Sequence, residues 1–480
     1  MPRPGDHPVF TPEQHNALAH DGLTGYAATT GATFTGDAIF GSGRPWFDVR
    51  KFGAVGDGVA EDTAAFQAAI DSLGGLGAGG VVFVPRSTAP YLLGNIQLKD
   101  GVFLVVAAGT ELKVKNSLNA DFITLATTST EQCGVMGLGG RFRILGNKAN
   151  NTSGNAITIN NVGGAAFENN DCLVSIENVT ILDIKGHGIS ISANSREVFV
   201  RNCQIRRPDG NGVLCAGANI TVESTTVGTA GLEGFLITAA NNRIINCTAF
   251  FCGAVTATNG DGFRISGTRN TLVGCHAEDN NQHGFHVING GNSTLEGCIA
   301  DTNGVTTTGY GFRVDNSGRC TITGTSMDRN AGSPTQDAAL SFANGPSDCF
   351  IVLTGINNIA ITNGTMPGTR NTIFIDNGTT NPLIYLGSSA HQIGFFGVAP
   401  VSRPSAFTQT YATASKTHAA PLATDPGAMT STAVTPTGFG NATDFNLLLN
   451  AVRNLVSDMA NVKQVLNAVI DDDQALGLKA

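Results

Sequence analysis

The chain has 480 residues, of which only 14% are Asp, Glu, Lys or Arg. Its formal net charge is −9, its pI is about 5.4 and no basic stripe is visible, so we expect neither a nucleic-acid partner nor binding to an anionic membrane surface. Glycine supplies 61 residues, and many Asn and Thr accompany it, which is typical of a β-rich chain with many tight turns.

The bulk sequence also bears on targeting and cofactors. Polar residues follow Met1-Pro2-Arg3 without an apolar segment, so no signal peptide is expected. No apolar run approaches the ~20 residues that a transmembrane helix needs, and no membrane insertion is expected. The 10 cysteines show no Cys-x-x-Cys spacing, which favours reduced, buried thiols over a zinc site. We expect no cofactor and no metal.

Residues 46–115 begin with an aromatic and glycine-rich stretch that leads into a short amphipathic helix. Asp62 is the predicted N-cap, and Phe66, Ala69 and Ile70 share one face of that helix. A buried strand is predicted at residues 81–84, and a further apolar segment follows at residues 91–93. Asp57 and Asp62 are interpreted as a turn residue and a cap.

The most informative feature is a short phrase that occurs six times, a glycine followed by an apolar, a variable and an apolar residue. The glycines recur every 22 to 28 residues, at Gly188, Gly212, Gly234, Gly262, Gly284 and Gly311. A period of this length indicates stacked supersecondary units, and the alternation predicts a short strand with one face inward.

A second phrase lies between successive glycine phrases and carries small residues at positions 203, 224, 247, 275, 298 and 325. We expect these residues to form an inward-facing ladder. Nothing in this region has helical periodicity, so the predicted fold is all-β, a parallel β-solenoid with two strands in each repeat. The variable period predicts loops of different lengths on one side.

Stacking of the repeats predicts two columns of side chains, because equivalent residues of adjacent coils lie ~4.8 Å apart. The residues before the glycines form one column: His187, Asn211, Glu233, Asp261, His283 and Tyr310. The middle residues of the phrases point outward and form the other: Ser190, Leu214, Leu236, Arg264, His286 and Arg313.

These columns predict that a catalytic or binding site, if there is one, lies in the middle coils. Glu233 and Asp261 are predicted neighbours about 5 Å apart, near the carboxyl separation of retaining glycosidases, so they are the candidate catalytic pair, with one pKa raised. The candidate glycan-binding residues are Arg264, His283, His286, Tyr310 and Arg313, with Tyr310 as a stacking surface. The alternative is structural, since a column of polar residues at the entrance of a strand is also typical of a solvated turn.

The sequence changes character after residue 390. Residues 391–443 include a Thr-, Ala- and Pro-rich stretch that predicts a partly extended spacer. Residues 444–480 carry heptads: Phe445, Val452, Met459 and Leu466 fall at position a, and Leu448, Leu455, Val462, Val469 and Leu476 at position d. Apolar e positions widen the seam and favour a trimeric coiled coil, and the alternative is an amphipathic helix packed on its own domain.

Resemblances to known families become specific at this point. The stretch from Trp46 to Leu93 resembles the N-terminal signature of the pectate-lyase-like superfamily, which implies a right-handed parallel β-helix domain over residues 46–390, capped by the first helix. Residues 15–23, 30–37, 391–401 and 462–471 resemble segments of bacteriophage tail fibres and spikes. Residues 1–45 are then the expected virion-attachment segment.

The phage resemblance implies a homotrimeric tail spike or fibre subunit that joins tail or baseplate proteins through its N-terminus and binds a host surface polysaccharide during adsorption. Such a protein is made in the host cytoplasm without a signal peptide. Depolymerase activity, as glycoside hydrolase or polysaccharide lyase, is a hypothesis within this interpretation. The alternatives are a stand-alone polysaccharide-degrading enzyme and a structural tail component without a ligand.

Overall fold

The computed structural model describes most of the predicted solenoid and part of the C-terminal segment. The described residues are 38–40, 44–74, 79–125, 132–160, 174–255, 260–305, 308–328, 336–355, 361–362, 371–375, 383–385, 392–393, 401–402, 450–456, 458–459 and 462–463. Contacts divide the chain into two units, Met1–Ser402 and Arg403–Ala480.

The first unit is a parallel β-helix in which each full coil contributes three strands, so the prediction of two strands in each repeat was wrong by one. The first row contains Arg44–Asp48, Gly80–Val84, Val102–Ala107, Cys133–Leu138, Val174–Glu177, Val198–Arg201, Thr221–Glu223, Arg243–Ile245, Thr271–Val273, Thr294–Asp301, Thr321–Met327, Phe350–Thr354 and Thr372–Ile375. The second row contains Tyr91–Leu93, Glu111–Val114, Phe142–Leu145, Val179–Leu182, Gln204–Arg206, Thr226–Gly228, Thr248–Phe250 and His276–Glu278. Thr294–Asp301 and Thr321–Met327 are long enough to continue into this row.

The third row contains Ile96–Leu98, Ile123–Leu125, Ile157–Ile159, Ile189–Ile191, Val213–Cys215, Phe235–Ile237, Phe263–Ile265, Phe285–Ile288, Tyr310–Asp315, Ala338–Ala343 and Ile361–Thr362. The strands pair in parallel along all three rows. Antiparallel pairs occur near the ends, between Ala38–Phe40 and Arg44–Asp48, between Thr372–Ile375 and Leu383–Tyr385, and between Gln392–Ile393 and Val401–Ser402.

Each coil has two sharp corners, one between the first and second rows and one after the second row. The first corner holds a left-handed residue in successive coils: Asn178, Asn202, Ser224, Asn246, Gly274 and Gly297. The second corner does the same with Asp183, Arg207, Thr229, Phe251, Asp279 and Thr302. Asn and Gly adopt positive φ most easily, which accounts for their frequency at the first corner. The second corner begins the connection to the third row, and this connection varies in length.

The interior is filled by stacked columns of like residues. The phenyl rings of Phe235, Phe263, Phe285 and Phe312 stack with centroid separations of 4.7, 4.9 and 5.1 Å. The ladder of small residues is also present, but one of its members was predicted one residue too early and another one residue too late. Thr225 is buried in the ladder while Ser224 forms the corner, and Gly324 rather than Thr325 pairs with Cys298.

The described cysteines take part in this packing. All nine are buried free thiols: Cys133, Cys203, Cys215, Cys247, Cys252, Cys275, Cys298, Cys320 and Cys349. Burial raises the pKa of Cys203, Cys215, Cys247 and Cys252 to about 12, which keeps these thiols protonated at neutral pH.

An α-helix (α1, Thr63–Gly74) lies near the first coils, where the amphipathic pattern predicted one. Phe66, Ile70 and Leu73 are fully buried beneath it. Asp62 precedes the helix, but its carboxylate accepts hydrogen bonds from the backbone N–H groups of Val55 and Gly56. The side chain therefore fastens the preceding loop. Two 3₁₀ helices, Val49–Phe52 and Lys148–Asn150, are the other helical elements among the described residues of this unit.

The second unit is described only at residues 450–456, 458–459 and 462–463, which are helical. Most of residues 394–449 and the resembling segments 15–23 and 30–37 lie outside the described residues. None of the described helices combines the length and apolar character needed to span a membrane.

Replacing one ring of the inner stack tests the packing. Phe263→Ala is expected to lower the free energy of unfolding by about 3 to 5 kcal/mol, because it opens a cavity between two stacked rings. Phe251→Ala is the matched control, since Phe251 is 51% exposed, and it should cost less than about 1 kcal/mol. Urea titration measures both, and equal losses would contradict the stacked core.

Candidate functional site

The outward column predicted from the repeat is confirmed on the third row. Backbone pairing aligns Ser190, Leu214, Leu236, Arg264, His286 and Arg313 in one register. The same register extends the column to Thr124 and Thr158 before it and to Ser341 after it. His286 differs from its neighbours because it is only 6% exposed, although it points away from the coil interior.

The second column, which precedes the glycines, is held by hydrogen bonds from each coil to the next. The side chains of His187, Asn211, Asp261 and His283 each accept from the backbone N–H of the following column member, at 2.9, 3.1, 3.1 and 3.2 Å. Asn211, Glu233, Asp261, His283 and Tyr310 are all buried. The solvated-turn alternative therefore does not describe this part of the chain.

The structure adds two members that the sequence pattern missed. Asp121 accepts from the Asn155 backbone N–H at 2.8 Å, and Asn155 accepts from the His187 backbone N–H at 2.7 Å. Phe122 and Ala156 stand where the later repeats have glycine, so a search on glycine overlooked both. The apolar–variable–apolar strands that follow, Ile123–Leu125 and Ile157–Ile159, were the signal available.

Asp261 and His286 form the centre of the site. Asp261 is fully buried, and its Oδ2 accepts a 2.9 Å hydrogen bond from His286 Nδ1. A carboxylate can only accept, so the uncharged imidazole carries its proton on Nδ1 and its lone pair on Nε2. His286 Nε2 is buried and has no hydrogen-bond partner among the described residues.

Arg264 links the two candidate carboxylates. Its Nη1 lies 3.6 Å from Asp261 Oδ2 and 3.9 Å from Glu233 Oε1, so both acids contact one guanidinium nitrogen. Burial raises the pKa of Glu233, and the nearby Asp261 charge adds to the effect. For Asp261, burial acts in the same direction, but the hydrogen bond from His286 and the neighbouring imidazoles outweigh it and lower its pKa. The pKa values of the two carboxyl groups therefore differ, with that of Glu233 raised and that of Asp261 lowered. The hypothesis of a catalytic pair requires one raised pKa.

The other side of His286 is formed by His283, Tyr310 and Arg313. The His283 ring stacks on Tyr310 at 5.1 Å and meets His286 edge-on at 4.9 Å. Tyr310 is 8% exposed, so its ring supports His283 and presents little stacking surface. Burial lowers the pKa of His283 to about 4, which leaves the ring uncharged at neutral pH.

Arg313 has guanidinium N–H donors that lack an acceptor among the described residues. His283 Nδ1 accepts from the Tyr310 backbone, so the uncharged ring carries its proton on Nε2, which faces Arg313 Nη1 at 3.3 Å. Two donors then face each other, and Arg313 Nε is also buried without a partner among the described residues. Only Nη2 is paired, with Asp315 Oδ2 at 3.4 Å.

Asp261, His283 and His286 each offer a metal-ligand atom, and the three atoms lie within 4.8 Å of one another. His₂Asp is a donor set that suits a divalent transition metal. Here, however, Asp261 contacts Arg264, and His283 faces Arg313. The guanidinium groups of Arg264 and Arg313 therefore lie beside the candidate ligand atoms, and their positive charge opposes a metal ion at this position.

The comparisons with known proteins agree with this architecture. A family model described as "Right handed beta helix region" matches residues 187–405. This part of the chain has the right-handed parallel β-helix fold. The chain is 32% identical over 163 residues to mannuronan C5-epimerase AlgE4 of Azotobacter vinelandii, a match that covers 32% of this chain and 29% of that protein. The chain spans less than a third of the length of the curated relatives it matches.

Two solved structures share the fold. The enzymatically active domain of tailspike protein 2 from bacteriophage CBA120 superposes with a TM-score of 0.56 at 18% identity, covering 70% of this chain and 52% of that one. The A-module of mannuronan C5-epimerase AlgE6 from Azotobacter vinelandii superposes with a TM-score of 0.50 at 17% identity, covering 68% of this chain and 99% of that one.

The buried His283 predicts a dependence of stability on pH. The unfolded chain takes up a proton near the ordinary His pKa of ~6.5, whereas folded His283 does so only near 4, so this residue destabilises the fold as pH drops through that window. His283→Asn keeps a side-chain acceptor for the Tyr310 backbone N–H. Asn211, earlier in the same column, is such an acceptor for the Glu233 backbone N–H.

Urea titrations at pH 7 and pH 4 measure the effect. The free energy of unfolding of the wild type relative to His283→Asn should fall by up to about 3 kcal/mol between these pH values. A difference between the two proteins that does not change with pH would contradict the assignment of His283 as a buried, uncharged ring.

Proposed function

We propose that this chain binds an acidic polysaccharide along the third row of its β-helix and abstracts a proton from the bound sugar. The observation that carries this proposal is the Asp261–His286 pair: His286 stands between Arg264 and Arg313 in the outward column, and its Nε2 has no hydrogen-bond partner among the described residues. An orienting carboxylate behind one ring nitrogen, with the other nitrogen free, is the arrangement of a general base.

The two arginines define the substrate class. A sugar carboxylate placed at Arg264 and Arg313 would accept from both guanidinium groups, and among the described residues Nη1 and Nε of Arg313 have no other acceptor. Pairing the carboxylate with these cations makes the adjacent C–H bond more acidic, because the negative charge that develops on deprotonation is stabilised. His286 Nε2 is the base available for that proton.

Glu233 is the proposed proton donor of the site. Its raised pKa keeps a proton on the carboxyl at higher pH than usual. In elimination, the electron pair of the broken C–H bond forms a C=C bond, the glycosidic C–O bond breaks, and the leaving oxygen takes a proton from a donor. In epimerisation, a proton returns to the same carbon on the opposite face. The relatives named mannuronan C5-epimerase carry the second reaction in their name.

Asp261 has a different role in this proposal from the one that its spacing suggested. Its side chain is fully buried and both oxygens are engaged, Oδ1 by the His283 backbone and Oδ2 by His286. These contacts favour a positioning residue that fixes the His286 ring over a nucleophile that must reach a sugar carbon.

We further propose that the polysaccharide is a host surface glycan and that the chain acts in phage adsorption, as a tail spike or fibre subunit. The resembling terminal segments and the fold shared with a phage tailspike support this role. In this proposal, α1 covers the first coil, residues 1–45 join the tail or baseplate, and residues 444–480 bring three chains together. The stand-alone lyase or hydrolase and the structural tail component remain the alternatives.

Turnover tests the chemistry. His286→Asn should lower the rate of polysaccharide modification by at least about 100-fold, and Asp261→Asn should lower it as well, because the ring loses its base or its orientation. Binding to the same polysaccharide should persist in His286→Asn. Ser190→Ala, on the same outward column, is the control that should retain activity.

The assay uses polymannuronate and envelope polysaccharides from candidate hosts. Ultraviolet absorbance reports unsaturated products, NMR reports epimerised sugars and reducing ends report hydrolysis. Unchanged turnover in His286→Asn would contradict the proposed base, and release of reducing ends without unsaturation would favour hydrolysis. Binding without turnover by the wild type would leave adsorption as the function.

Oligomeric state tests the C-terminal proposal. The described seam residues Val452, Leu455, Met459 and Val462 are 47 to 63% exposed in the single chain, which leaves apolar surface for partner helices. Leu455→Lys with Val462→Lys should convert a trimer to monomers in sedimentation velocity. Arg453→Ala, an exposed b position, should leave the trimer intact, and a lysine variant that remains trimeric would contradict the coiled coil.

A further inference from the structure

A second candidate site lies on the first row, away from the third-row site. The outward column here runs through Trp46, Val81, Phe103, Gly134, Ser175 and Phe199 in register. Phe103 and Phe199 are half-buried and are separated by the two small residues, so three strand spacings, about 14 Å, lie between the two side chains.

The small residues leave a depression between the phenyl rings. Its lining residues are Phe103, Gln132, Ser175, Phe199 and Arg201, and its volume is about 260 Å³. We call this depression the aromatic trough. At Gly134 a Cβ atom would meet the Ser175 carbonyl oxygen at 2.3 Å, so the position next to Ser175 has no room for a larger residue.

Polar groups surround the trough. The Arg201 guanidinium lies 5.3 Å from the centre of the Phe199 ring, and its Nε is 3.5 Å from Glu223 Oε2. This contact holds the arginine at the edge and balances its charge. The Ser175 hydroxyl and the Gln132 amide form no hydrogen bond with another described residue, so both can serve a ligand.

We infer that the aromatic trough binds one or two pyranose rings of a polysaccharide. A pyranose has apolar C–H faces and hydroxyl groups at its edge, which match phenyl faces flanked by amide, hydroxyl and guanidinium groups. The volume is below the ~300 Å³ at which drug-sized pockets begin, so it suits a small saccharide unit. A second copy of this chain is a poorer fit, because a stable interface buries about 800 Å² on each partner.

The ligand class rests on the proposed function, but the trough does not depend on the chemistry at His286. A polysaccharide long enough to occupy both sites would be retained by the trough while the third-row site acts on another part of it. Loss of the trough should therefore weaken binding without changing the rate at saturating polysaccharide.

A glycan array of acidic and neutral bacterial polysaccharides, probed with the full chain, tests the inference. Phe103→Ala with Phe199→Ala removes both walls, and Ser175→Phe fills the trough while keeping them. Both variants should raise the apparent Kd at least tenfold for the polysaccharides that the wild type binds. Thr271→Ala with Thr294→Ala, further along the same outward column, should bind as the wild type does.

The outcomes separate the two proposals. If either trough variant binds as tightly as the wild type, the aromatic trough is not a glycan site. If both lose binding and also sediment as smaller assemblies, the surface is a subunit interface and the inference is overturned. If the trough variants bind as the wild type does and activity still depends on His286, the proposed function stands and only the trough inference fails. A wild type that binds no glycan would contradict both the trough inference and the proposed function.

Discussion

Parallel backbone pairing between coils is the interaction on which the rest of this structure depends. It repeats each position about every 4.8 Å along the β-helix, so a residue type that recurs in the sequence becomes a continuous column. Inside, this register stacks Phe235, Phe263 and Phe285 face to face. Outside, it places Arg264, His286 and Arg313 in one line. Core and site are consequences of the same pairing.

Burial then decides what the polar columns can do. Before the glycines, the side chains of His187, Asn211, Asp261 and His283 accept hydrogen bonds from the next coil's backbone, which satisfies one polar atom of each of these four side chains and fixes its direction. In Asp261 the second oxygen is left to orient His286. The same burial raises the pKa of Glu233 and lowers that of His283, so neighbouring groups hold different protonation states at neutral pH.

Much of this could be predicted from the sequence because the register is periodic. The two columns of side chains, the β-helix and the helix near residue 66 follow from apolar alternation and glycine spacing. The third strand of each coil was missed because a single left-handed residue, such as Asn246, separates two strands that read as one phrase. Asp121 and Asn155 were missed because Phe122 and Ala156 replace the glycine.

Other features depend on neighbours that no periodic pattern specifies. The surroundings of Asp261 and His286 include Tyr310 and Arg313 of the next coil, which contact His283. The same holds for the aromatic trough, where Gly134 and Ser175 matter only because Phe103 and Phe199 lie on either side. Spacing located Asp261 and His286 but not the residues of the trough, and packing defined the roles of both sets.

A crystal structure of His286→Asn with a bound acidic oligosaccharide would test the proposed chemistry. We expect a sugar carboxylate in contact with the guanidinium groups of Arg264 and Arg313, and the adjacent ring carbon beside residue 286. A saccharide bound along the third row with its carboxylate away from both arginines, or with residue 286 remote from that carbon, would contradict it.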